Sequence, residues 1–183
     1  RCPNCLGGDP IRYERLLWRL TPVRCCAAHA RLLCHRCPTC GAPVPRNQTT
    51  LMQWRCFRCG RPLRADAPAE SPTEWELRVH AMCSALLLRR RTPMSRERIA
   101  DMIGEMLRDA RFLSMRAAAD TTGVPEATLW NICNGSSCAP RLEVWCRLAA
   151  WRGIDLPDLL AGVPGPSPTE PSAPKRPHQI AAA

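Results

Sequence analysis

Long apolar side chains recur at helical spacing only in the second part of this chain. Trp75, Val79, Met82 and Leu86 fall at steps of three and four, which predicts one amphipathic helix with a core-facing stripe. Ser71-Pro72-Thr73-Glu74 reads as its capped start, with proline at the first helical position and glutamate three after the cap. Arg89-Arg90-Arg91 then suits the negative pole at its end. Beyond Pro93, Ser95 can cap a second helix whose Ile99, Met102, Ile103, Met106 and Leu107 share a face. Between Leu113 and Leu129 the pattern predicts two short crossing helices. Ala118 and Ala119 leave room for close approach, Gly123 makes the turn, and Val124 and Leu129 plug the junction. Asn134-Gly135 ends the second of these; Leu142, Trp145, Leu148, Ala149 and Trp151 mark another helix, and Leu156-Pro157-Asp158-Leu159-Leu160 a last short one. From Val163 onward the chain is proline, serine, threonine and alanine with Lys175-Arg176, so residues 164–183 are expected to form a disordered tail.

The first 65 residues have no such pattern. They hold few long apolar side chains but nine of the chain's 13 cysteines, and a segment with so little core needs cross-links to fold. Cys2-Pro3-Asn4-Cys5 is answered after 20 residues by Cys26-Ala27-Ala28-His29, and Cys37-Pro38-Thr39-Cys40 after 15 by Cys56-Phe57-Arg58-Cys59. Two residues between ligands let a tight turn aim both side chains at one tetrahedral ion, while the longer loop returns the second pair. Gly41 and Gly60 follow the last cysteine of their pairs, where positive φ relieves the turn. These spacings predict two structural zinc ions, one held by Cys2, Cys5, Cys26 and His29, the other by Cys37, Cys40, Cys56 and Cys59. An odd number of cysteines in zinc-like pairs argues against a disulfide framework.

Cys25 adjoins Cys26 and Cys34 stands three before Cys37, so a shifted register stays open. Cys26 is preferred for its two-residue gap to His29, and Cys37 with Cys40 because Gly41 completes the turn. Cys25, Cys34 and His35 then become packing residues, and Cys83, Cys133, Cys138 and Cys146 read as small hydrophobes. The arginine-studded segment Tyr13-Glu14-Arg15-Leu16-Leu17-Trp18-Arg19-Leu20 either covers the zinc site or offers a surface to a partner or to DNA backbone. Trp54 and Arg55 carry the same two readings.

Charge adds one expectation. The 26 Lys+Arg against 16 Asp+Glu give a formal +10, which favours a polyanionic partner. No apolar run approaches the roughly 20 residues of a membrane span, so a soluble protein is expected. The opening at Arg1, already inside a metal motif, leads us to expect a natural start further upstream. The fold class is thus a small zinc-stabilised tandem finger domain (residues 1–65), a linker (66–72), and an all-α domain (73–163) with a helix-turn-helix at about 113–135.

Arg1-Cys2-Pro3-Asn4-Cys5-Leu6, then Tyr13, Arg15-Leu16, Trp18-Arg19, Val23, Cys26, His29, Leu33 and Cys37-Pro38-Thr39-Cys40-Gly41 resemble the tandem zinc-finger region of the TniQ family, the target-selection proteins of heteromeric transposons. The resemblance covers about the first third of the chain. It implies a non-catalytic bacterial, cytoplasmic adaptor that recognises target DNA, or sits on a CRISPR effector complex, and recruits an AAA+ transposition ATPase of the TnsC or TniB kind. The sequence departs from the family in lacking the segment that usually precedes the fingers and commonly contributes to partner binding.

The later helices resemble the phage-repressor type of helix-turn-helix. That resemblance implies that the helix from about Pro125 to Cys133 enters the major groove. Glu126, Ala127, Thr128, Trp130 and Asn131 are its outward candidates: Glu126 can accept from cytosine, Thr128 can contact phosphate and Asn131 can pair with adenine. Arg116 and Arg141 flank it and can position the backbone. Against this, the helix has no Lys or Arg and Glu126 repels phosphate, so a helical protein-docking module is the competing reading. The alternative for the whole chain is a zinc-containing transcriptional regulator that reads an operator as a dimer. Enzymatic readings rank last: His29 is followed by Ala30-Arg31 rather than the His-x-Glu of a zinc deaminase, and the carboxylates form no two-metal cluster.

Overall fold

The computed structural model describes residues 1–10, 13–44, 54–63, 70–89, 94–110, 112–134 and 140–163. The expected tail, most of the expected linker, Arg90, Arg91, Pro93, Gly135 and Cys138 lie outside the described residues. The chain divides into two compact units, Arg1–Arg89 and Arg90–Ala183.

The first unit holds helix α1 (Pro3–Gly8), a 3₁₀ turn (Leu16–Arg19), strands β1 (Cys25–Cys26) and β2 (Arg31–Leu32), a second 3₁₀ turn between them (Ala27–His29), and helix α2 (Glu74–Leu88). The strands are antiparallel, with Cys25 opposite Leu32 and Cys26 opposite Arg31. Trp18, Val23, Cys25 and Leu33 are buried around them. A polar clamp sits beside this core. The Glu14 side chain is only 3% exposed and lies 3.5 Å from Arg1 Nε and 3.4 Å from Arg19 Nη2. A buried carboxylate persists only with such partners.

Helix α2 is where the sequence reading needs correction. The pattern places its stripe in the helical half, behind a boundary at residues 66–72, yet α2 packs on β1 and on the 3₁₀ turn Leu16–Arg19. Val79 and Cys83 are buried, and Cys25 Sγ contacts the Glu76 carbonyl oxygen at 3.3 Å. The division therefore falls after Arg89. The helix start also shifts: Thr73 is the cap, not Ser71. Glu76 N donates to Thr73 Oγ1 at 3.2 Å, and Thr73 N donates to Glu76 Oε2 at 2.9 Å. Thr73 and Glu76 form their own reciprocal box two residues later, which leaves Pro72 outside the helix.

The second unit contains α3 (Arg96–Asp109), α4 (Met115–Thr122), α5 (Glu126–Cys133), α6 (Leu142–Arg152) and α7 (Leu156–Leu160). Ser95 caps α3 as its position predicts, and Ser114 caps α4, accepting from Ala117 N at 3.1 Å. Ile103, Met106, Ala118, Val124, Leu129, Ile132, Trp145, Leu148, Ala149, Leu156 and Leu159 are buried. Helix α5 packs on both α3 and α4, and α6 on α4 and α7. The α4–α5 connection turns at Gly123, whose φ of 68° is left-handed and whose N–H donates to Ala119 O at 2.9 Å.

Gly123 carries a testable consequence. An alanine there meets the left-handed penalty, and its Cβ would stand 2.7 Å from Arg147 Nη1, a side chain with freedom to move. Gly123→Ala is expected to destabilise the second unit by about 1–2 kcal/mol, read by denaturant unfolding, with the metal content unchanged.

Candidate metal centres

Two groups of side chains converge within the first unit. In one, Cys2, Cys5, Cys26 and His29 bring their ligand atoms within 4.8 Å of one another; in the other Cys37, Cys40, Cys56 and Cys59 do the same. These are the two sets expected from spacing. The described cysteines are free thiols, with no disulfide among them. Cys25 and Cys34 join neither group among the described residues: Cys25 is buried beneath α2, and Cys34 Sγ faces the Arg36 carbonyl at 2.8 Å.

The distances allow a test of fit. Ligands on a tetrahedron with metal–sulfur bonds of about 2.3 Å stand about 3.8 Å apart, and a sulfur–nitrogen edge is about 3.6 Å. Cys5 and Cys26 sulfurs are 3.7 Å apart, Cys37 and Cys59 3.7 Å, and Cys40 and Cys56 3.6 Å. His29 Nδ1 lies 3.6 Å from Cys2, 3.3 Å from Cys5 and 3.6 Å from Cys26. Both groups thus match the edges of a tetrahedral site, and both can hold a metal ion with four protein ligands.

The sulfurs share their protons unevenly. In the first group a hydrogen bond from Cys26 holds Cys2 down to about 5, while the same contact and burial push Cys26 strongly up. Burial also raises Cys5. In the second, burial opposes ionisation of Cys37, but the backbone N–H groups of Cys40 and Thr39 outweigh it and hold the thiol down to about 6. Cys40 receives the Ala42 N–H, yet burial and the neighbouring sulfurs push it up to about 12. Four thiolates cannot crowd together without a cation. A bound divalent ion supplies that charge and displaces the remaining protons.

The groups are built differently. Cys2 caps α1 and Cys5 lies inside it, while Cys26 precedes and His29 ends a 3₁₀ turn closed by Ala30 at φ 44°. The second group has two matched knuckles. Cys37 N donates to Ala42 O and Cys56 N to Arg61 O, both at 2.8 Å; Gly41 N donates to Cys37 O and Gly60 N to Cys56 O, both at 2.9 Å. Gly41 and Gly60 have φ of 66° and 67°. Arg36 Nη1 donates to Gly41 O at 3.2 Å, and Arg55 Nη1 to Gly60 O at 2.9 Å. Bridges Arg36–Pro43 and Arg55–Pro62 close the two hairpins.

This correspondence exposes residues that ligand spacing overlooked. Arg36-Cys37-Pro38-Thr39-Cys40-Gly41-Ala42-Pro43-Val44 and Arg55-Cys56-Phe57-Arg58-Cys59-Gly60-Arg61-Pro62-Leu63 are one repeated nine-residue pattern, and its leading arginine braces each turn. Val44 and Leu63 occupy equivalent buried places with Ala42. The repeat was visible in the sequence as a shared arginine, glycine and proline around each pair.

The other site candidates fall on the second unit and on the finger flank. Glu126, Ala127 and Trp130 of α5 are exposed, Trp130 at 54%, while Thr128 and Asn131 are half-buried. Arg116 on α4 and Arg141 before α6 are exposed. The segment Tyr13–Leu20 divides: Trp18 is buried, whereas Tyr13 and Leu16 are exposed. No protein-family model matches the chain, and no curated protein matches it.

Metal loading follows from this geometry in a measurable way. Titration with a divalent soft metal is expected to saturate at two ions per chain, and Cys5→Ser or Cys56→Ser to leave one. Because Cys5, Cys26 and Cys40 are held as thiols at neutral pH, loading in weakly buffered solution should release protons, and apparent affinity should fall as pH is lowered. A stoichiometry of one, or uptake without proton release, contradicts the assignment.

Proposed function

We propose that this chain is a non-catalytic target-selection adaptor of DNA transposition, with zinc in both centres and a helix-turn-helix formed by α4 and α5. The observation that carries the non-catalytic part is the completeness of the two ligand sets. Four protein ligands at tetrahedral edges leave no coordination position for water or substrate, so each zinc holds the chain rather than reacts. His29 supplies one ligand and has no neighbouring glutamate in sequence to act as a base.

The DNA-binding part rests on α4 and α5. Their short crossing at Gly123 leaves Glu126, Ala127 and Trp130 outward, and Thr128 and Asn131 partly so. The dipole at the start of α5 and the exposed Arg116 and Arg141 favour phosphate on either flank, which offsets the repulsion by Glu126. The transposition part rests on the TniQ-like run from Arg1 to Gly41. In that reading the fingers form a docking body, and an AAA+ transposition ATPase or a CRISPR effector complex is the partner. The competing reading, a zinc-containing transcriptional regulator, shares the same helices and differs in reading a palindrome as a dimer.

A selection from randomised duplexes, using metal-loaded protein with and without the cognate ATPase, tests this. One enriched asymmetric site, with ATPase retained on the complex, is expected. Asn131→Ala should cost about 1–3 kcal/mol on that site and relax one base position. Arg116→Gln should weaken all duplexes alike. A palindromic site bound by a dimer that ignores the ATPase would establish the regulator instead.

A further inference from the structure

The arginines are not spread evenly. Residues 15–64 hold ten arginines and no aspartate or glutamate, so this stretch alone carries the chain's whole formal excess of +10. Loading both centres with zinc gives them about three negative charges, one at the three-thiolate centre, whose Cys2 and Cys5 lie outside this stretch, and two at the four-thiolate centre within it. A strong positive excess survives. At the second centre alone, Arg36, Arg55, Arg58 and Arg61 outweigh the metal–thiolate core. None of the four is in an ion pair with a carboxylate among the described residues, and Arg36, Arg58 and Arg61 are exposed.

The two knuckles of this centre are equal in backbone and unequal in side chains. Where the first has Pro38, Thr39 and Ala42, the second has Phe57, Arg58 and Arg61. Phe57 is 58% exposed although it sits between two ligands, and nothing in metal binding requires a phenyl ring there. Next to it, the guanidinium of Arg55 lies over the Trp54 ring, 4.2 Å from its centroid. Its other contact is the Gly60 carbonyl. Within seven residues the knuckle thus offers an outward ring, a stacked guanidinium and two further exposed cations on a backbone that the metal clamps.

We infer that this second knuckle, residues 54–61, is a binding site for single-stranded nucleic acid, in which Phe57 stacks on an unpaired base and Arg58 and Arg61 contact the flanking phosphates. Alternating rings and cations are what an unpaired strand engages, because every base has a π-face and every linkage a charge. Duplex offers the charges but keeps its base faces covered. RNA and DNA present the same two groups, so the shared chemistry is an unpaired base with its phosphates. This deepens the nucleic-acid part of the function proposed above and rests on that reading, but it assigns a different site from α5 and a different form of the polymer.

The test uses the full chain loaded with zinc and fluorescence anisotropy against labelled oligo-dT and oligo-U of about 15 nucleotides, with a mixed-sequence duplex as the third probe. Phe57→Ala is expected to weaken the single strands about tenfold and to leave the duplex unchanged, with two zinc ions retained; Phe57→Trp should restore binding. Arg58→Gln should reduce the slope of log affinity against log salt by about 0.7 on single strands. Tighter binding of oligo-U would mark RNA as the source and tighter binding of oligo-dT would mark DNA, and either supports the site. Equal loss on single strands and duplex, or no effect of Phe57→Ala, overturns it. The failures separate, because an error about α5 shows as a silent Asn131→Ala on duplex while Phe57→Ala still acts on single strands.

Discussion

Four side chains placed to grip one cation can do for the N-terminal region what apolar burial does for the helical unit. Around the second centre the buried apolar set among the described residues is Cys37, Ala42, Val44, Cys56 and Leu63, and two of these are themselves candidate ligands. Two hairpins closed by single bridges cannot overcome their own conformational entropy with so small a cluster. A metal bound by Cys40 and Cys56 would join residues 16 apart in sequence and, with Cys37 and Cys59, fix both turns at once. The first centre depends on metal less completely, because Trp18, Val23 and Leu33, with Val79 and Cys83 of α2, supply apolar cover from outside the ligand set. Ions in the two centres would therefore have unequal roles: one would complete a small core, and the other would largely replace one.

That difference explains why the residues around the centres diverge. A centre cushioned by Trp18 and α2 has its flanks occupied by packing, and its charges are committed inward, as with Glu14 between Arg1 and Arg19. A centre held by metal alone needs few of its side chains for folding. Phe57, Arg58 and Arg61 are thus released from structural duty, although they lie within or beside the ligand pair. Rigidity from the ion and freedom of the side chains coexist at one turn. A surface of that kind loses little entropy when it orders a partner.

The legibility of this fold followed the range of the interactions involved. Ligand pairs are local: Cys37-Pro38-Thr39-Cys40-Gly41 contains its own turn, and the eight positions of the two groups that could hold a metal are those that spacing brings together. The helices from Ser95 onward were readable where Ser95 and Gly123 mark ends that depend only on neighbouring backbone. Helix α2 was misassigned because an amphipathic stripe says that one face is buried and nothing about what buries it. Val79 and Cys83 would have suited either unit. The burial of Glu14 was illegible for the same reason, since its partners are Arg1, thirteen residues before it, and Arg19, five after. The nine-residue repeat was present in the letters but lay outside the ligand positions on which the reading concentrated.

Under the proposed function, a division of labour between affinity and selectivity would follow from where the charges lie. Helix α5 has no arginine or lysine and one glutamate, so phosphate attraction would contribute little to the duplex contact proposed for it. Its outward Trp130 and its amide at Asn131 suit a search for particular base edges only after another part of the chain has brought nucleic acid near. The stretch 15–64 has the opposite character, with ten arginines, no carboxylate and, among its described residues, no helix of reading length. Attraction of the kind it supplies is steep in salt and indifferent to sequence. Moving arginines onto α5 would raise its affinity for every duplex and blur the discrimination that neutral side chains permit. Keeping the cations on the metal-clamped knuckles and the neutral groups on the helix allows each surface to be tuned without loss to the other.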